Sequence, residues 1–357
     1  MDDARQVFIS FGGGGKEKTM TSHYAVKAKA CSNIAVVKYW GKRDEKLAIP
    51  ANPSVSLTLD ALRTTTEVSF EKELKRDEIT IDGLKIPHDS PTYIRVSGFL
   101  DRVRLLSGKH VHAKVVSENN FPKSSGLASS ASGFAALALA ASKAAGLDLA
   151  RKELSILARL GSGSACRSVF DGWVEWVAGR ENASRSSYAR RIAPAEMLKV
   201  HDVIAVINSG EKKTSSRKGM LISRKTSPLF WSRARAARTD AVLAKKAIRS
   251  GNFEELGMIA EKECALMHAV MLSSAPPLRY LDPKTLLLCD SIVRAREEDG
   301  LPAYFTIDAG ANVHVLTLPQ FSKRVHRLIR GLNVAESIIE SGPGPEAEVI
   351  SEGGNNA

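Results

Sequence analysis

The stretch FPKSSGLASSASGFAALALAAS, residues 121–142, decides how the first half of the chain is interpreted. In it a Gly/Ser-rich loop runs directly into an Ala-rich segment that has the composition of a buried helix. Serine and glycine are common in flexible turns, and a serine at the start of a helix is an ordinary N-cap. Successive backbone N–H groups ahead of a helix N-terminus also form a positively polarised cradle for phosphate. Because the spacing is not that of a Walker loop, the loop by itself leaves both interpretations open.

The segments around this stretch carry strand and helix patterns. HVHAKVVSEN, residues 110–119, is a predicted strand that leads into the loop. TYIRVSGFLDRVRLLSG, residues 92–108, fits an amphipathic helix closed by Gly108. SVSLTLD and TTEVSF alternate apolar and polar residues, as two half-buried strands do. The loop therefore stands between a strand and a helix, which is the context that a phosphate cradle requires.

The length of 357 residues favours two domains that share a cleft. DVIAVINSG, residues 202–210, is where we expect the second domain to begin, and AYFTIDAGANVHVLTL, residues 303–318, is a late strand of it. We expect a disordered leader over residues 1–20, an N-terminal domain over 21–200, a C-terminal domain over 201–345 and a frayed tail over 346–357.

Composition is that of a cytoplasmic globular protein. The chain is 43% hydrophobic and 25% charged, which is typical of soluble domains. No stretch approaches the roughly 20 consecutive apolar residues that a membrane span needs. The four cysteines are scattered, with neither disulfide nor metal-ligand spacing, so we expect a reducing compartment and no metal site made by the protein alone.

The net charge of +12 indicates an anionic partner, either nucleic acid or a small molecule. The densest basic runs are SRARAAR, residues 232–238, and SYARR, residues 187–191. They have little aromatic interleaving and match no nucleic-acid-binding signature, so they are interpreted as solvated faces. We therefore expect no nucleic-acid partner.

Other cations lie in Ser/Gly-type turns. Arg167 lies in GSGSACRSVFDGWVEW, Lys38 and Lys42 lie in NIAVVKYWGKRD, and KKTSSRKGM packs four cations around two serines. Together with the first loop, these turns favour a site that holds several anionic groups. Asp308 stands apart at the end of an apolar strand in FTIDAGANVHV. It suits either an Asx turn or a carboxylate held in a cleft among cations.

Taken together, these motifs and the TSPLF that follows KKTSSRKGM resemble the mevalonate diphosphate decarboxylase family of the GHMP kinase superfamily. The match runs in order from residue 25 to residue 344. The resemblance implies an α+β protein with the GHMP kinase fold, in which two domains enclose the active-site cleft. The sequences NIAVVKYWGK and SSRKGM resemble archaeal or bacterial members more than animal ones, and we expect an archaeal-type member.

The resemblance also implies the reaction. In that family ATP, with Mg²⁺, phosphorylates the tertiary 3-hydroxyl of a mevalonate already phosphorylated at its 5-position. Phosphate and CO₂ then leave an isopentenyl product. By resemblance, Asp308 is the catalytic aspartate near the 3-hydroxyl, Lys38 pairs with it, and Arg167 clamps the C1 carboxylate. The family likewise implies a small-molecule substrate and a homodimer, with no membrane partner.

Two further groups of residues are assigned by resemblance. Expected substrate contacts are Tyr39, Trp40, Gly41, Lys42, Arg95, Ser162, Gly163, Ser164, Ala165, Cys166 and Arg217. Expected phosphate or nucleotide contacts are Lys123, Ser124, Gly126, Leu127, Ala128, Ser129, Ser130 and Ser132.

One departure from the family leaves the substrate open. Where many relatives have Phe-Pro-Thr-Ala-Ala-Gly, this chain has Phe-Pro-Lys-Ser-Ser-Gly. The preferred prediction is ATP-dependent decarboxylation of 5-diphosphomevalonate to isopentenyl diphosphate. The alternatives are a bisphosphomevalonate decarboxylase that needs no ATP, in which Lys123 serves a 3-phosphate, and an ATP-dependent phosphomevalonate decarboxylase. A pure 3-kinase, and a non-enzymatic sensor or nucleic-acid binder on the same fold, are disfavoured because Asp308, Lys38 and Arg167 are all present.

Overall fold

The computed structural model describes residues 24–121, 129–181, 183–208, 210 and 213–354. The leader expected over residues 1–20 and most of the first loop, residues 122–128, lie outside the described residues. The described chain is an α+β protein with one eight-stranded sheet and one four-stranded sheet.

Two long antiparallel strands form the centre of the first sheet. β1 (Tyr24–Val37) pairs with β4 (Ser54–Glu71), and a register shift between Cys31 and Ser32 marks a β-bulge. SVSLTLD and TTEVSF, expected as separate strands, are parts of β4, which keeps pairing across the bulge. The remaining strands of this region are β2 (Lys42–Asp44), β3 (Ile49–Pro50), β5 (Glu78–Ile81), β6 (Leu84–Lys85), β7 (His112–Asn119), β8 (Trp173–Trp176) and β9 (Ala189–Ala193).

The last strand of the chain is β14 (Glu348–Gly354). The order of the first sheet is β14-β1-β4-β7-β5-β6, with β8 on β4 and β9 on β8, while β2 and β3 pair separately. Strand β14 pairs antiparallel with β1. The expectation of a frayed tail is therefore wrong for this segment. The edge of β1 offers unpaired backbone groups, and the tail satisfies them although its sequence has no strong apolar pattern.

The second sheet consists of β10 (His201–Val206), β11 (Ala303–Ile307), β12 (Val313–Thr317) and β13 (Ser337–Ser341). Its order is β11-β12-β10-β13, and it is antiparallel throughout. Residues 303–318, expected as one strand, form two strands joined by a turn in which the Gly310 N–H donates to the Asp308 carbonyl. The turn leaves Asp308 at the end of β11.

Helices cover both sheets. The predicted helix that ends before Gly108 is confirmed, and Gly108 has the left-handed backbone conformation typical of a C-terminal glycine cap. No helix of the described residues is long and apolar enough to cross a membrane. The helices are α1 (Pro91–Ser107), α2 (Ser129–Ala144), α3 (Arg151–Gly161), α4 (Ser216–Thr226), α5 (Phe230–Ser250), α6 (Phe253–Leu272), α7 (Pro283–Asp299) and α8 (Ser322–Leu332).

One apolar core joins the two sheets. It combines Ile34 and Leu57 of the first sheet with Ala241 and Ala244 of α5 and Ile204 of the second sheet. Small alanine side chains on α5 let the helix lie close to both sheets, and their burial removes apolar surface from water. The end of β1 is thereby held near the end of β11, and these two ends carry Lys38 and Asp308.

Deleting residues 348–357 should destabilise the protein, because β14 contributes six cross-strand pairs with β1. At a few tenths of a kcal/mol or more for each pair, the free energy of unfolding should fall by about 2 kcal/mol. Urea unfolding of the full-length and truncated chains checks this. Identical unfolding midpoints would contradict a structural role for the strand.

Candidate active site

A cavity of about 490 Å³ lies where the ends of β1 and β11 meet the starts of α2 and α4. It brings together residues that are far apart in the sequence. The predicted residues that line it are Lys38, Tyr39, Trp40, Lys42, Arg95, Ser129, Ser130, Ser162, Gly163, Ser164, Arg167, Arg217 and Asp308.

Lys38 and Asp308 form an ion pair on one wall of the cavity. The Lys38 Nζ donates to Asp308 Oδ1 over 2.7 Å. The lysine side chain is only 1% exposed, whereas 34% of the aspartate side chain remains exposed. A buried ammonium group is stable only with a partner, which Asp308 supplies. The carboxylate still faces the cavity, where it can accept a proton or a hydrogen bond from a bound hydroxyl.

Arg167 is a buried cation held by neutral groups. Its guanidinium donates to Asn33 Oδ1 at 3.0 and 3.2 Å, to Ser54 Oγ at 2.6 Å and to Ser56 Oγ at 3.0 Å. Ser54 and Ser56 alternate along β4 and therefore share one face of the strand. Among the described residues no carboxylate forms a salt bridge with Arg167. Burial lowers the pKa of Arg167, and a bound carboxylate is the partner that would offset this cost.

Three arginines converge on the C-terminal end of α3. Arg95 and Arg217 both donate to the Gly161 carbonyl, and Arg102 donates to the Leu160 carbonyl. Burial, and then the charge of Arg217, lowers the pKa of Arg95 to about 9. The arginines repel one another and are only partly compensated by carbonyl oxygens. An anionic group bound at this wall would relieve that repulsion.

Three polar residues complete the predicted contacts. Tyr39 has a buried hydroxyl with no hydrogen-bond partner among the described residues, and burial raises its pKa. Lys42 also lines the cavity, and its Nζ lies 2.9 Å from Glu45 Oε2. Trp40 donates from its indole nitrogen to Ser223 Oγ over 3.0 Å, so it is held firmly where it lines the cavity.

The start of α2 brings hydroxyl groups to the cavity. Ser129 and Ser130 are its first two residues, and Ser130 Oγ lies 3.1 Å from Ser162 Oγ. A 16-residue helix that begins at a cavity presents the positive end of its dipole and its first backbone N–H groups there. Lys123, Ser124, Gly126, Leu127 and Ala128 lie outside the described residues, so their predicted roles remain predictions.

Four predicted contact residues do not reach the cavity. Ala165 and Cys166 are buried beneath it, and the Cys166 thiol, whose pKa burial raises to about 12, donates to the Gly163 carbonyl. Ser132 is buried against Thr64, with 2.7 Å between their hydroxyl oxygens. Gly41 has a φ of +102° and lies against the Phe230 ring, so it shapes the turn that presents Lys42. These residues support their neighbours through packing.

Some residues around the cavity were missed by sequence reasoning. Ser215, Ser216 and Met220 line it from the start of α4, and Met267 lines it from α6. The two serines belong to the motif KKTSSRKGM, which could have indicated them, and Ser215 is the N-cap of α4. Met267 lies in an apolar helix whose pattern gives no functional signal.

The basic runs expected to be solvated faces are partly engaged within the chain. Arg233 is buried in an ion pair with Glu263, with 2.7 Å between Nη2 and Oε2. Arg190 pairs with Glu175, and Arg191 pairs with an acidic residue as well. The interpretation as a solvated face is therefore wrong for Arg233, because a neighbouring helix carries the compensating acid.

His268 is a buried histidine next to the Lys38–Asp308 pair. Burial, followed by the charge of Lys38, lowers its pKa from 6.5 to about 4. Its Nε2 has no hydrogen-bond partner among the described residues. The imidazole is therefore neutral near pH 7, and charging it inside the fold is unfavourable.

The chain is similar to known proteins over most of its length. Residues 30–189 match the family model of the diphosphomevalonate decarboxylase-like N-terminal domain, and residues 202–346 match that of the mevalonate 5-diphosphate decarboxylase C-terminal domain. The diphosphomevalonate decarboxylase of Homo sapiens is 37% identical over 314 residues, covering 82% of this chain and 77% of that protein. The one from Ganoderma lucidum is 38% identical over 331 residues, covering 86% and 82%.

Solved structures give the same result. A structure of MDDEF in complex with MVAPP, AMPPCP and magnesium superimposes with a TM-score of 0.87 at 37% identity, covering 92% of this chain and 100% of that one. The mevalonate diphosphate decarboxylase of Staphylococcus aureus superimposes with a TM-score of 0.87 at 36% identity, covering 92% and 98%.

The two-sheet fold and its polar cleft define a protein of the GHMP kinase type, as predicted. Within that class, the chain belongs to the diphosphomevalonate decarboxylase family. The predicted family is thus confirmed. The expected archaeal character is not supported, because the relatives just described are eukaryotic and bacterial.

His268 should make the protein less stable in mild acid. The unfolded chain binds a proton at this residue below a pKa of 6.5, whereas the folded chain does so only near 4, so stability falls as the pH drops through this window. Between pH 7 and pH 5 this one group should remove about 2 kcal/mol of unfolding free energy. Urea unfolding of wild type and His268→Gln at both pH values checks this, since the loss should be smaller in the variant. Equal losses would show that His268 does not titrate in this way.

Proposed function

We propose that this protein catalyses the ATP-dependent decarboxylation of mevalonate 5-diphosphate to isopentenyl diphosphate. The observation that carries the proposal is that one cavity contains both a buried guanidinium group and a carboxylate that faces the cavity. Arg167 is a buried cation that forms no salt bridge among the described residues, and Asp308 is a carboxylate that faces the cavity beside Lys38. A substrate with a carboxylate and a neighbouring hydroxyl fits both.

Asp308 and Arg167 act on opposite ends of the reacting part of the substrate. Asp308 accepts the hydrogen bond, and then the proton, of the tertiary 3-hydroxyl, while Lys38 keeps the aspartate in place. Arg167 orients the C1 carboxylate so that its bond to C2 can break as phosphate leaves C3. The electrons of that bond form the double bond of the product, and the carboxylate departs as CO₂.

The arginines at the end of α3 bind the 5-diphosphate in this proposal. Arg95 and Arg217 line the cavity, and Lys42 and Tyr39 lie beside them. A diphosphate offers several anionic oxygens, so charge-assisted hydrogen bonds can replace the weak contacts to the Gly161 carbonyl. The same contacts anchor the substrate while positive charge develops at C3.

ATP and Mg²⁺ fit the start of α2. Ser129 and Ser130 place hydroxyl groups and a helix N-terminus on the cavity, which suits nucleotide phosphates. The described residues contain no cluster of three or more acidic, histidine or cysteine side chains that could hold a metal. Mg²⁺ commonly binds through substrate phosphates with few protein ligands, so this donor set is compatible with it. The nucleotide supplies the phosphoryl group that converts the 3-hydroxyl into a leaving group.

A cytoplasmic location and a homodimeric state are part of the proposal. The location is supported by four free, buried cysteines, which suit a reducing compartment. The homodimer rests on the family resemblance.

Substrate and nucleotide dependence test the proposal directly. Purified protein is incubated with mevalonate 5-phosphate, 5-diphosphate or 3,5-bisphosphate, each with and without ATP, while CO₂ release is followed. We expect release only from the 5-diphosphate with ATP. In that case Asp308→Asn should lower kcat by about 10³-fold, because it keeps the shape and removes the charge. Release from the bisphosphate without nucleotide would instead favour the bisphosphomevalonate alternative.

Arg167→Lys should lower kcat by about 100-fold and raise KM, because an ammonium group cannot hold a carboxylate in the planar fork of a guanidinium. Arg159→Lys is the matched control. Arg159 is also buried, and it donates to the Ser184 carbonyl away from the cavity. The control should keep near wild-type kinetics. Equal effects of the two substitutions would place Arg167 outside the substrate site.

A further inference from the structure

The peptide groups of Lys38 are held by side chains. The β1–β4 ladder ends with the pair Val37 and Val55, so Lys38 is the first residue beyond it. The Lys38 N–H donates to Glu263 Oε2 over 3.0 Å. Its carbonyl accepts from Arg233 Nη2 over 2.6 Å and from Asn52 Nδ2 over 2.9 Å. Both polar groups of this peptide segment are thus satisfied by residues outside the sheet.

Asn52, Arg233 and Glu263, here called the Lys38 clamp, also bind one another. Arg233 Nη2 lies 2.7 Å from Glu263 Oε2, and Arg233 Nη1 donates to Asn52 Oδ1 over 3.2 Å. All three side chains are buried. The clamp therefore has few alternative arrangements, and it fixes the backbone from which the Lys38 side chain extends.

The helix that carries Glu263 also contacts β11, the strand that precedes Asp308. On α6, the Cys264 thiol lies 3.8 Å from the Ile307 carbonyl, and the backbone at Gly257 lies directly against the Tyr304 ring of β11. One rigid helix thus touches the Lys38 peptide on one side and the residue before Asp308 on the other. The position of this helix therefore affects the distance between the Lys38 ammonium group and the Asp308 carboxylate.

We propose that Glu263 and Arg233 are positioning residues that fix Lys38 against Asp308 for catalysis. The inference rests on the proposed function, because it assigns these residues to the same reaction. Neither residue lines the cavity, so neither contacts the substrate. They act through the backbone of Lys38, which in turn sets the position of the Asp308 carboxylate relative to the 3-hydroxyl.

Stability alone is a poor explanation for this arrangement. A buried ion pair gains little over well-packed apolar residues, because desolvation offsets much of its attraction. Glu263 Oε1 and Arg233 Nε both lack hydrogen-bond partners among the described residues. Burial raises the pKa of Glu263, which shows the cost of keeping this carboxylate there. An unfavourable pair with a specific geometric effect is consistent with a role in positioning.

The same two helices provide a matched control. Asp240 on α5 is buried and pairs with Lys262 on α6 over 2.6 Å. As in Glu263, one of its carboxylate oxygens lacks a partner among the described residues. None of the hydrogen bonds to the Lys38 peptide comes from Asp240 or Lys262. Removing Asp240 therefore removes a comparable buried carboxylate but none of the hydrogen bonds of the clamp. Besides burial, the charge of Asp240 contributes to the raised pKa of Glu263, so its loss eases the burial of the Glu263 carboxylate without breaking a clamp contact.

The experiment compares Glu263→Ala, Glu263→Gln and Asp240→Ala with wild type. Steady-state kcat and KM for mevalonate 5-diphosphate are measured with saturating ATP, and urea unfolding of each protein is measured in parallel. A displacement of the Lys38 backbone should cost Glu263→Ala about 100-fold in kcat, while KM stays within about threefold. Glu263→Gln, which keeps an acceptor oxygen, should recover part of the loss. Asp240→Ala should keep near wild-type kcat at similar stability.

Several outcomes would overturn the inference. If the wild type is active and Glu263→Ala and Asp240→Ala lose kcat equally, the clamp is merely structural. A rise in KM with unchanged kcat would mean that Glu263 affects substrate binding. If Glu263→Ala does not fold, Asn52→Ser removes one donor to the Lys38 carbonyl and leaves the ion pair, and an unchanged kcat in that variant overturns the inference. Absence of CO₂ release by the wild type with ATP would overturn the proposed function itself.

Discussion

The contact between Lys38 and Asp308 is the interaction on which the site depends, because its partners come from different sheets. Lys38 follows β1 of the eight-stranded sheet, and Asp308 follows β11 of the four-stranded one. The 2.7 Å contact forms only if both strand ends meet at one point. The apolar core that α5 shares with both sheets holds them there, so the packing of the two halves and the chemistry of the site have a common origin.

Sequence reasoning found the residues whose chemistry shows in short motifs. Lys38 and Asp308 each follow an apolar strand, and Arg167 lies in a Gly/Ser-rich segment after a helix, so each charge is informative. Resemblance to the family then predicted that they lie in one cavity, which neither spacing nor periodicity can do. In the fold, strong patterns were reliable, as in the helix that ends before Gly108. The tail was misjudged because β14 exists only through pairing with β1, a tertiary effect that local patterns do not contain.

The supporting residues show why the remainder could not be predicted. Arg233 lies in a run that reads as a solvated helix face, and only the packing of α5 against α6 reveals that Glu263 compensates it. Ala165, Cys166 and Ser132 show the opposite error: they were predicted to contact ligands and are buried below the cavity surface. A motif includes both the side chains that face a cavity and those that pack beneath it. Adjacent residues of a tight turn or helix point in different directions, so membership of a motif does not fix orientation.

The two buried cations of the site are compensated differently, and this difference determines what each can do. Lys38 has a full carboxylate partner, so it needs no further anion and serves to hold Asp308. Arg167 donates to an amide oxygen and two serine hydroxyls, which orient its guanidinium, and Asp308 attracts it without forming a salt bridge among the described residues. Its positive charge therefore remains available to a carboxylate from outside. If an acidic residue replaced Ser54 or Ser56, Arg167 would be neutralised and the cavity would lose its affinity for the substrate carboxylate, although the burial of the guanidinium would become easier. Neutral hydrogen-bond acceptors thus fix the orientation of the buried guanidinium and leave it without a salt bridge. A substrate carboxylate would form that salt bridge.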